Sequence, residues 1–495
     1  MTVKNSIISK MFKIISPKKF LLLFLAAFIF KLAVSFYFAH LRKCSTAEKE
    51  NTILASKSGD ASFYLDPIDN FLEKGEYFID NGFEKVVMGR APYYGIPYFF
   101  LRTFFSKDVS YDLLVIFQLL MEALAIIYLA ALCLLILKQQ IAFWITYVLM
   151  MLSLNTTFWA SNLITESLSI SFLTFFAFYY YNYLLDKKKK ILLLSGLFLS
   201  LVVLLKPYFS LLFIPIGIQF LTGRPFSVKR VLTNTLLVSI PLIVLAAPYT
   251  IRNIIKFNKF VAFSELYGGY HFTKATFAYR NFIQAWGGSI VFWDKRSAAC
   301  YFEPKPNLPC EFQFPDYALC EGYSLDDIES VRNLYVKYQM QQSQALEDSV
   351  ASSFNRLTTI YKESRPFRYY VISPLIMTRI FLFHSGSYYL PIARGLPCYK
   401  SYQMLIKIFQ SLLYYFSLFA GMAGLVFLLR QNRNTYMLLL IPVFLILFFP
   451  LAIHATEFRY FAPSYPFLII GCTLILLQIY EAIKKLADVN KSHTE

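Results

Sequence analysis

The stretch Phe20–Ala39, FLLLFLAAFIFKLAVSFYFA, decides the class of fold. It is long enough to cross the hydrocarbon core of a bilayer, which takes about 20 helical residues. It is too long for the apolar core of a cleaved signal peptide and lacks a small-residue cleavage site, so we expect an uncleaved first membrane helix. Five lysines and no acidic residue precede it: Lys4, Lys10, Lys13, Lys18 and Lys19. Because basic flanks stay on the cytoplasmic side, the segment after this helix is expected outside.

The composition of the whole chain points to the same class. Of 495 residues, 57% are hydrophobic and 16% are charged, and the chain contains 51 Phe and 36 Tyr. A soluble protein of this size could not bury so many aromatic side chains in its core. The net charge of +18 would suggest a nucleic-acid partner in a soluble chain. Here the lysines and arginines cluster in short loops between apolar runs, which is typical of cytoplasmic loops, so we expect no nucleic-acid partner.

The sequence predicts ten membrane spans, and every short basic loop between them falls on one side. The predicted spans are 20–39, 111–137, 141–158, 168–185, 191–205, 208–221, 231–247, 405–429, 435–453 and 458–479. A further apolar run, 369–390, contains a proline, an arginine and a histidine, which favours a helix on the membrane surface over one or two extra spans. We therefore expect an all-α polytopic membrane protein with about 10–12 transmembrane helices.

The spans divide the chain into three parts. Residues 1–250 form an N-terminal transmembrane module with an outer loop, 41–110; residues 251–402 form a soluble or interfacial outer region of mixed structure; residues 403–495 form the last helices and a cytoplasmic tail. The outer region contains Cys300, Cys310 and Cys320, spaced ten apart. We expect one disulfide among these three in an oxidising compartment, with its pairing open. No cysteine or histidine group has the spacing of a zinc site, so a structural, metal-free role is expected.

The candidate chemistry lies in polar residues near the outer ends of the spans. Asp60 follows Gly59 in the first outer loop, and Glu166 lies between two apolar spans, where an unpaired acid is costly. Each acid also has a structural interpretation. Asp60 could be a solvated loop carboxylate, and Glu166 could be a charge that favours the helix dipole at the start of a span.

Four cations lie at similar positions: Arg90, Lys206, Arg252 and Arg459. Guanidinium groups bind phosphate through two parallel hydrogen bonds, so such side chains could neutralise a phosphate leaving group. The structural alternative is that each cation reaches towards lipid headgroups. Arg459 also belongs to a dense polar patch, His454–Tyr460, between two very apolar spans.

Several segments of the chain resemble segments of one enzyme superfamily. The segments are Gly59-Asp60 with Tyr64, Arg90–Tyr94, Thr165–Ser167, Leu205–Pro207, Pro248–Asn253, Phe260–Gly269 and Glu457–Pro466. In their order and topology they resemble the GT-C superfamily of membrane glycosyltransferases, most closely the bacterial branch related to protein O-mannosyltransferases and the lipid A aminoarabinose transferase. The resemblance covers roughly residues 59–269 and 454–466. This chain departs from the family in residues 275–400 and in having a single acid after Gly59, where the eukaryotic mannosyltransferases have a paired Asp-Glu.

The resemblance implies an inverting glycosyl transfer at the outer face of a bacterial inner membrane. The donor would be a polyprenyl-phosphate sugar, with its prenyl tail in an apolar groove between spans, and the acceptor a glycan, a lipid or a protein. Asp60 would act as the general base, with a raised pKa suited to that role, and Glu166 would assist. No metal is required where cations already meet the leaving group, and a divalent metal stays an open alternative because some relatives use one.

The resemblance also implies roles for the other side chains. The residues implied to hold the carrier phosphate are Arg90, Lys206, Arg252 and Arg459. The residues implied to position substrate are Tyr64, Tyr93, His454 and Glu457.

Two other classes of protein stay open. A transporter or flippase of a polyprenyl-linked or other anionic lipid would use the same cations without chemistry. Transporters usually carry polar residues at mid-membrane and broken helices. The predicted spans are nearly free of interior charge, which favours the enzyme. A membrane scaffold with an outer partner-binding region would explain the soluble region but leaves the outer acids and cations without a role.

Overall fold

The computed structural model of the protein is built almost wholly of helices. It describes residues 16–45, 51–57, 59–80, 85–222, 226–265, 273–290, 295–304, 309–341, 343–384, 386–387, 389–392 and 399–492. The helices before residue 223 are α1 Pro17–Ser45, α2 Gly59–Lys74, α3 Ile96–Arg102, α4 Lys107–Leu137, α5 Gln140–Leu152, α6 Leu154–Ala160, α7 Glu166–Asp186, α8 Lys189–Leu205 and α9 Phe213–Thr222. The later helices are α10 Val228–Phe257, α11 Lys274–Ala285, α12 Ala298–Phe302, α13 Leu325–Gln341, α14 Gln344–Ser364, α15 Ser373–Leu382, α16 Tyr402–Gln431, α17 Tyr436–Ile446 and α18 Tyr465–Ser492. In these ranges the only named strands are β1 Ile79–Asp80 and β2 Lys85–Val86, which pair antiparallel.

Among the described residues, seven helical stretches are long and apolar enough to cross a membrane. They are α1, α4, α7, α10, α16, Arg433–Ala452 and Phe458–Asp488, and the bent pair α5 and α6 makes an eighth if it is one span. Length and composition thus confirm an all-α integral membrane protein. The two remaining predicted spans, 191–205 and 208–221, fall on shorter apolar helices, so the count of 10–12 spans stays a prediction. The 17 residues of α8 extend about 26 Å, against a hydrocarbon core of about 30 Å.

The helix α7 lies at the centre of the bundle, since nearly all of its residues are buried. Close helix contacts elsewhere depend on glycine. A Cβ atom added at Gly424 of α16 would collide with the backbone of Gly471 on α18, and one at Gly471 would collide with Gly421. Small residues that let helix backbones approach are a common basis of helix association in membranes.

A buried ion pair lies inside the bundle at the break between α5 and α6. The two helices meet at Ser153 with a bend of 56°. The Lys31 ammonium on α1 donates to the backbone carbonyls of Met150 (3.1 Å) and Ser153 (2.9 Å), which lie at the break. It also lies 3.0 Å from a carboxylate oxygen of Glu122 on α4, and both side chains are buried. The expectation that the spans are nearly free of interior charge is therefore wrong at this position. Lys31 and Glu122 lie in different predicted spans, and only the folded chain brings the two charges together.

The first loop after α1 is held firmly against the bundle. The Asp112 carboxylate at the start of α4 accepts hydrogen bonds from the backbone N–H groups of Ile53, Leu54 and Ala55, at 2.8 to 2.9 Å. The next residue, Ser56, bridges to Asn162 in the turn between α6 and α7. These contacts bring the loop and that turn together just before α2 begins.

The described part of residues 251–402, which were predicted to form an outer region of mixed structure, is mainly helical. The helices α11, α13 and α14 share a core that includes Tyr279, Phe282 and Phe354, because each presents aromatic side chains on its inner face. The apolar run 369–390 forms a π turn, Arg368–Ile372, and the ten-residue α15, which is too short to be a span.

The cysteines of this region do not form the predicted disulfide. Cys310 and Cys320 are free thiols, so no disulfide joins any two of the three evenly spaced cysteines. Equal spacing in the sequence does not determine how far apart the thiols lie in space. Cys300 is buried, whereas Cys310 is exposed. Cys44 is disulfide-bonded. Cys398 lies outside the described residues.

Candidate functional site

Asp60, Glu457 and Arg459 meet at one end of the bundle. Asp60 is in the first turn of α2, and Arg459 lies in the 3₁₀ segment Phe458–Ser464 that leads into α18. The Arg459 guanidinium donates through Nη1 to Asp60 Oδ2 and through Nε to Glu457 Oε2, the latter at 2.6 Å. The three side chains are 21% to 33% exposed, so a ligand can reach them. The arginine thus joins two carboxylates at an accessible position.

A second ion pair lies beside the first and is buried. The Lys206 ammonium donates to Glu166 Oε1 at 3.0 Å, with 6% and 3% of the two side chains exposed. Glu166 is the first residue of α7, and Lys206 ends α8 where Pro207 follows, since the residue before a proline avoids helical geometry. The Tyr460 ring connects the two pairs: Lys206 Nζ is 5.6 Å and Arg459 Cζ is 5.3 Å from its centroid.

Arg90 approaches the same place from the first loop. Its guanidinium lies 5.2 Å from the ring of Tyr64, which is one helical turn after Asp60. The Arg90 carbonyl accepts hydrogen bonds from the hydroxyls of Tyr77 (3.0 Å) and Tyr249 (3.3 Å), which fix the backbone of this segment. The structure therefore brings together six of the predicted residues with charged side chains, called the Asp60 cluster below: Asp60, Arg90, Glu166, Lys206, Glu457 and Arg459.

The charge of Asp60 is stabilised, contrary to the sequence-based expectation. Burial acts to raise the pKa of its carboxyl, but attraction and a hydrogen bond from Arg459 outweigh this. Arg90 and Lys206 add to that effect, so the pKa of Asp60 lies below its ordinary value. The expected raised pKa is wrong because three cations from distant segments surround the carboxylate. In this state Asp60 is a weaker base than a free aspartate.

Two predicted residues belong to a second group on the other side of the Arg90 segment. Arg252 donates to the carbonyls of Val87 (3.0 Å) and Tyr77 (3.1 Å). Tyr93 packs with its ring 6.2 Å from Tyr249, whose ring is also 5.8 Å from Arg252. Arg252 and Tyr93 thus support the Arg90 segment, and among the described residues their hydrogen bonds are to partners other than Asp60 and Arg459.

This second group borders an open apolar groove of about 520 Å³. Its lining consists mainly of apolar and aromatic side chains, including Phe71, Ile96 and Phe100, all three of them exposed. Two cations, Arg252 and Lys256, also line it. An exposed apolar groove with cations is suited to a lipid that carries an anionic headgroup.

His454 lies apart from the Asp60 cluster, in a different pocket. It is buried, its backbone has the left-handed conformation (φ 53°), and its ring is 5.1 Å from Tyr369. Burial lowers the pKa of this histidine, so it is neutral near pH 7. The pocket, of about 430 Å³, lies between α11, α14 and the segment before α18.

Tyrosines are the site residues that the sequence reasoning missed. Tyr460, Tyr77 and Tyr249 contact or position the cations, as described above. Tyr208 is a fourth: its hydroxyl is buried and, among the described residues, has no hydrogen-bond partner. Two of these were detectable, since Tyr460 directly follows Arg459 and Tyr208 follows Lys206-Pro207.

The residues at the site do not fit a resident divalent metal. Within the described ranges, no three His, Cys, Asp or Glu side chains form a group that could hold one. Asp60 and Glu457 both bind the Arg459 guanidinium, which takes the position between them that a metal would need.

The geometry combines a displaceable arginine, a buried lysine and a carboxylate held as an anion. Such a set can bind a phosphate and hold a base near it. Comparisons of this chain with models of protein families and with curated proteins found no match.

Proposed function

We propose that this protein transfers a sugar, with inversion, from a polyprenyl-phosphate donor to an acceptor at the outer face of the membrane. The observation that carries the proposal is the Asp60–Arg459 ion pair, set beside a buried Lys206–Glu166 pair in a membrane-spanning chain. The resemblance to GT-C enzymes of a bacterial inner membrane supports the same function. It is consistent with an acid and several cations at one end of the spans.

The charges of the Asp60 cluster balance before a donor binds. Three cations, Arg90, Lys206 and Arg459, face three carboxylates, so the formal sum is zero. An arriving phosphate adds negative charge and competes with Asp60 and Glu457 for the Arg459 guanidinium, which binds phosphate through two hydrogen bonds. Once Arg459 turns to the phosphate, Asp60 loses its strongest partner and its pKa rises towards the ordinary value. Donor binding would therefore make Asp60 a better base.

The chemical step follows from that exchange. An acceptor hydroxyl or amine attacks the anomeric carbon from the face opposite the phosphate, and its proton passes to Asp60. The bond from the anomeric carbon to the phosphate oxygen breaks, and its electron pair leaves with polyprenyl phosphate. Arg459, Arg90 and Lys206 stabilise the charge that develops on that oxygen.

The apolar groove supplies a place for the prenyl tail. It is lined by Ile68 and Phe71 of α2, which begins at the Asp60 cluster. Ile68 is the eighth residue after Asp60, about 12 Å along the helix. A carrier with its phosphate on Arg459 could thus extend along α2 into the groove, with Arg252 and Lys256 beside it.

The test uses the full-length protein in nanodiscs with a panel of radiolabelled polyprenyl-phosphate sugars. We compare wild type, Asp60→Asn and a control on the same helix, Asp66→Asn, whose partner is Lys57. We expect wild type and the control to bind a donor and release polyprenyl phosphate, and Asp60→Asn to bind it but release it at least about 100-fold more slowly. If none of the donors binds, the proposal is wrong.

A second candidate, a lipid transporter, is favoured by one feature. The break between α5 and α6 and the buried Lys31–Glu122 pair resemble the broken helices and interior charges of transporters. A flipping assay with a fluorescent polyprenyl phosphate in proteoliposomes separates the two. Donor binding with transbilayer movement and without release of polyprenyl phosphate, in the presence of acceptor, would favour the transporter.

A further inference from the structure

The pocket around His454 is lined by neutral polar side chains. Its volume of about 430 Å³ lies within the range of small-molecule sites. Its polar lining comes from α11, α14 and the segment before α18: Asn281, Gln284, Asn355, Thr358, Thr359 and His454. Gln284 and His454 are buried, whereas the two asparagines are exposed at the surface of their helices. The pocket therefore has a buried polar floor and a rim that can donate and accept hydrogen bonds.

This lining selects for an uncharged ligand rich in hydroxyl groups. Amides and hydroxyls both donate and accept, which matches the hydroxyls of a sugar. Tyr369 adds an aromatic ring to the wall, against which the apolar face of a sugar ring can pack. The described lining contains no lysine, arginine, aspartate or glutamate, and His454 is neutral near pH 7. An anionic ligand would thus meet no opposite charge there.

The pocket adjoins the Asp60 cluster along the chain. Glu457 is the third residue after His454, and three residues of chain span at most about 11 Å. The segment between them is anchored, since Thr456 is buried and its hydroxyl lies 3.2 Å from that of Ser289. A molecule of two or three sugar units seated in the pocket could therefore extend towards Asp60.

We propose that this pocket binds a neutral oligosaccharide and that this oligosaccharide is the acceptor of the transfer. The first half stands on the lining of the pocket, and the second rests on the proposed function. The helices α11 and α14 would then bind the acceptor, whereas the Asp60 cluster would bind the phosphate of the donor.

The experiment uses the full-length protein in nanodiscs and saturation-transfer NMR with three neutral trisaccharides: maltotriose, mannotriose and N-acetylated chitotriose. A trigalacturonate serves as the anionic comparison. Asn281→Leu and Asn355→Leu remove amides from the rim, and Asn333→Leu on α13 makes the same change at an exposed position outside the pocket. All three sites lie on helix surfaces, so the substitutions leave the core unchanged. Binding of unlabelled polyprenyl phosphate is measured in the same preparations.

We expect at least one neutral trisaccharide to bind wild type and Asn333→Leu equally, and to bind each pocket variant about tenfold more weakly. Polyprenyl phosphate should bind all four proteins alike. If polyprenyl phosphate binds and no neutral trisaccharide does, or if the pocket variants bind sugar like wild type, the inference is overturned and the proposed function stands. If trisaccharide binding depends on the asparagines but polyprenyl phosphate does not bind, the sugar site stands and its acceptor role is overturned together with the proposed function.

Discussion

Asp60 and Arg459 are 399 residues apart in the sequence and form an ion pair in the structure. The pair joins the first turn of α2 to the segment that leads into the last span. The site is thus assembled from the beginning and the end of the chain, and both ends must be in place before it exists. Arg459 also binds Glu457, so the guanidinium is shared between two carboxylates from different segments.

The first prediction concerns competition for this arginine. Arg459→Met should weaken binding of polyprenyl phosphate at least about tenfold, because one charged hydrogen-bonding group is lost. Asp60→Asn should strengthen it, because the phosphate no longer competes with a carboxylate for the guanidinium. Calorimetric titration in nanodiscs measures both affinities, with Arg296→Met as a surface control. Equal affinities in wild type and both variants would contradict an exchange of partners at Arg459.

The second prediction concerns the buried Lys206–Glu166 pair. Lys206→Met should lower the free energy of unfolding by about 3–5 kcal/mol, because it leaves the Glu166 carboxylate buried without its partner. The double variant Lys206→Met/Glu166→Gln should recover much of that loss, since no unpaired charge remains. Unfolding in mixed detergent micelles gives the values. The exposed pair Lys259–Glu265 is the control, where Lys259→Met should cost less than about 1 kcal/mol. A double variant no more stable than Lys206→Met would show that the pair is not the cause.

The third prediction contrasts Lys31 with Lys206. Lys31→Met should lower the free energy of unfolding at least as much as Lys206→Met, because Lys31 contacts two backbone carbonyls as well as Glu122. Here the double variant Lys31→Met/Glu122→Gln should recover less, since the carbonyls of Met150 and Ser153 still lose the ammonium that donates to them. The same unfolding assay compares the two double variants. Full recovery in the Lys31 double variant would mean that the carbonyls at the bend do not depend on this lysine.

The fourth prediction concerns pH and His384. Burial lowers the pKa of His384 to about 4, and its ring packs against Phe458 at 4.2 Å and Tyr414 at 4.3 Å. The unfolded chain then binds more protons than the folded one between pH 6.5 and 4. The contribution of His384 to the free energy of unfolding is therefore fully present above pH 6.5. It decreases as the pH drops to 4, by at most about 3 kcal/mol.

His384→Phe, which keeps an aromatic ring at this position, should make the pH dependence of stability shallower. Part of the slope should remain, because burial also lowers the pKa of His454. Thermal unfolding of wild type and variant from pH 7.5 to 4 is the measurement. An unchanged slope in His384→Phe would show that the protonation of this histidine is not coupled to folding.

Much of the fold follows from local sequence alone. The apolar runs and their basic flanks predict the class of protein and the position of each long helix, because hydrophobic length is a property of consecutive residues. The same reasoning found the acids and cations of the Asp60 cluster, since charged residues at the ends of apolar runs stand out. It could not settle the number of spans where helices as short as α8 occur, and it could not pair cysteines.

Only the tertiary structure shows which distant residues form ion pairs. No local pattern pairs Asp60 with Arg459 or Lys31 with Glu122, because each pair joins helices far apart in the chain. The pKa of Asp60 is lowered, whereas a raised pKa was expected, for the same reason. The direction of the shift depends on three cations that distant segments bring to the carboxylate. The sequence by itself determined which side chains are charged and that they lie near the ends of spans. The folded chain decided which charges meet, because an ion pair depends on distance in space, which sequence separation does not specify.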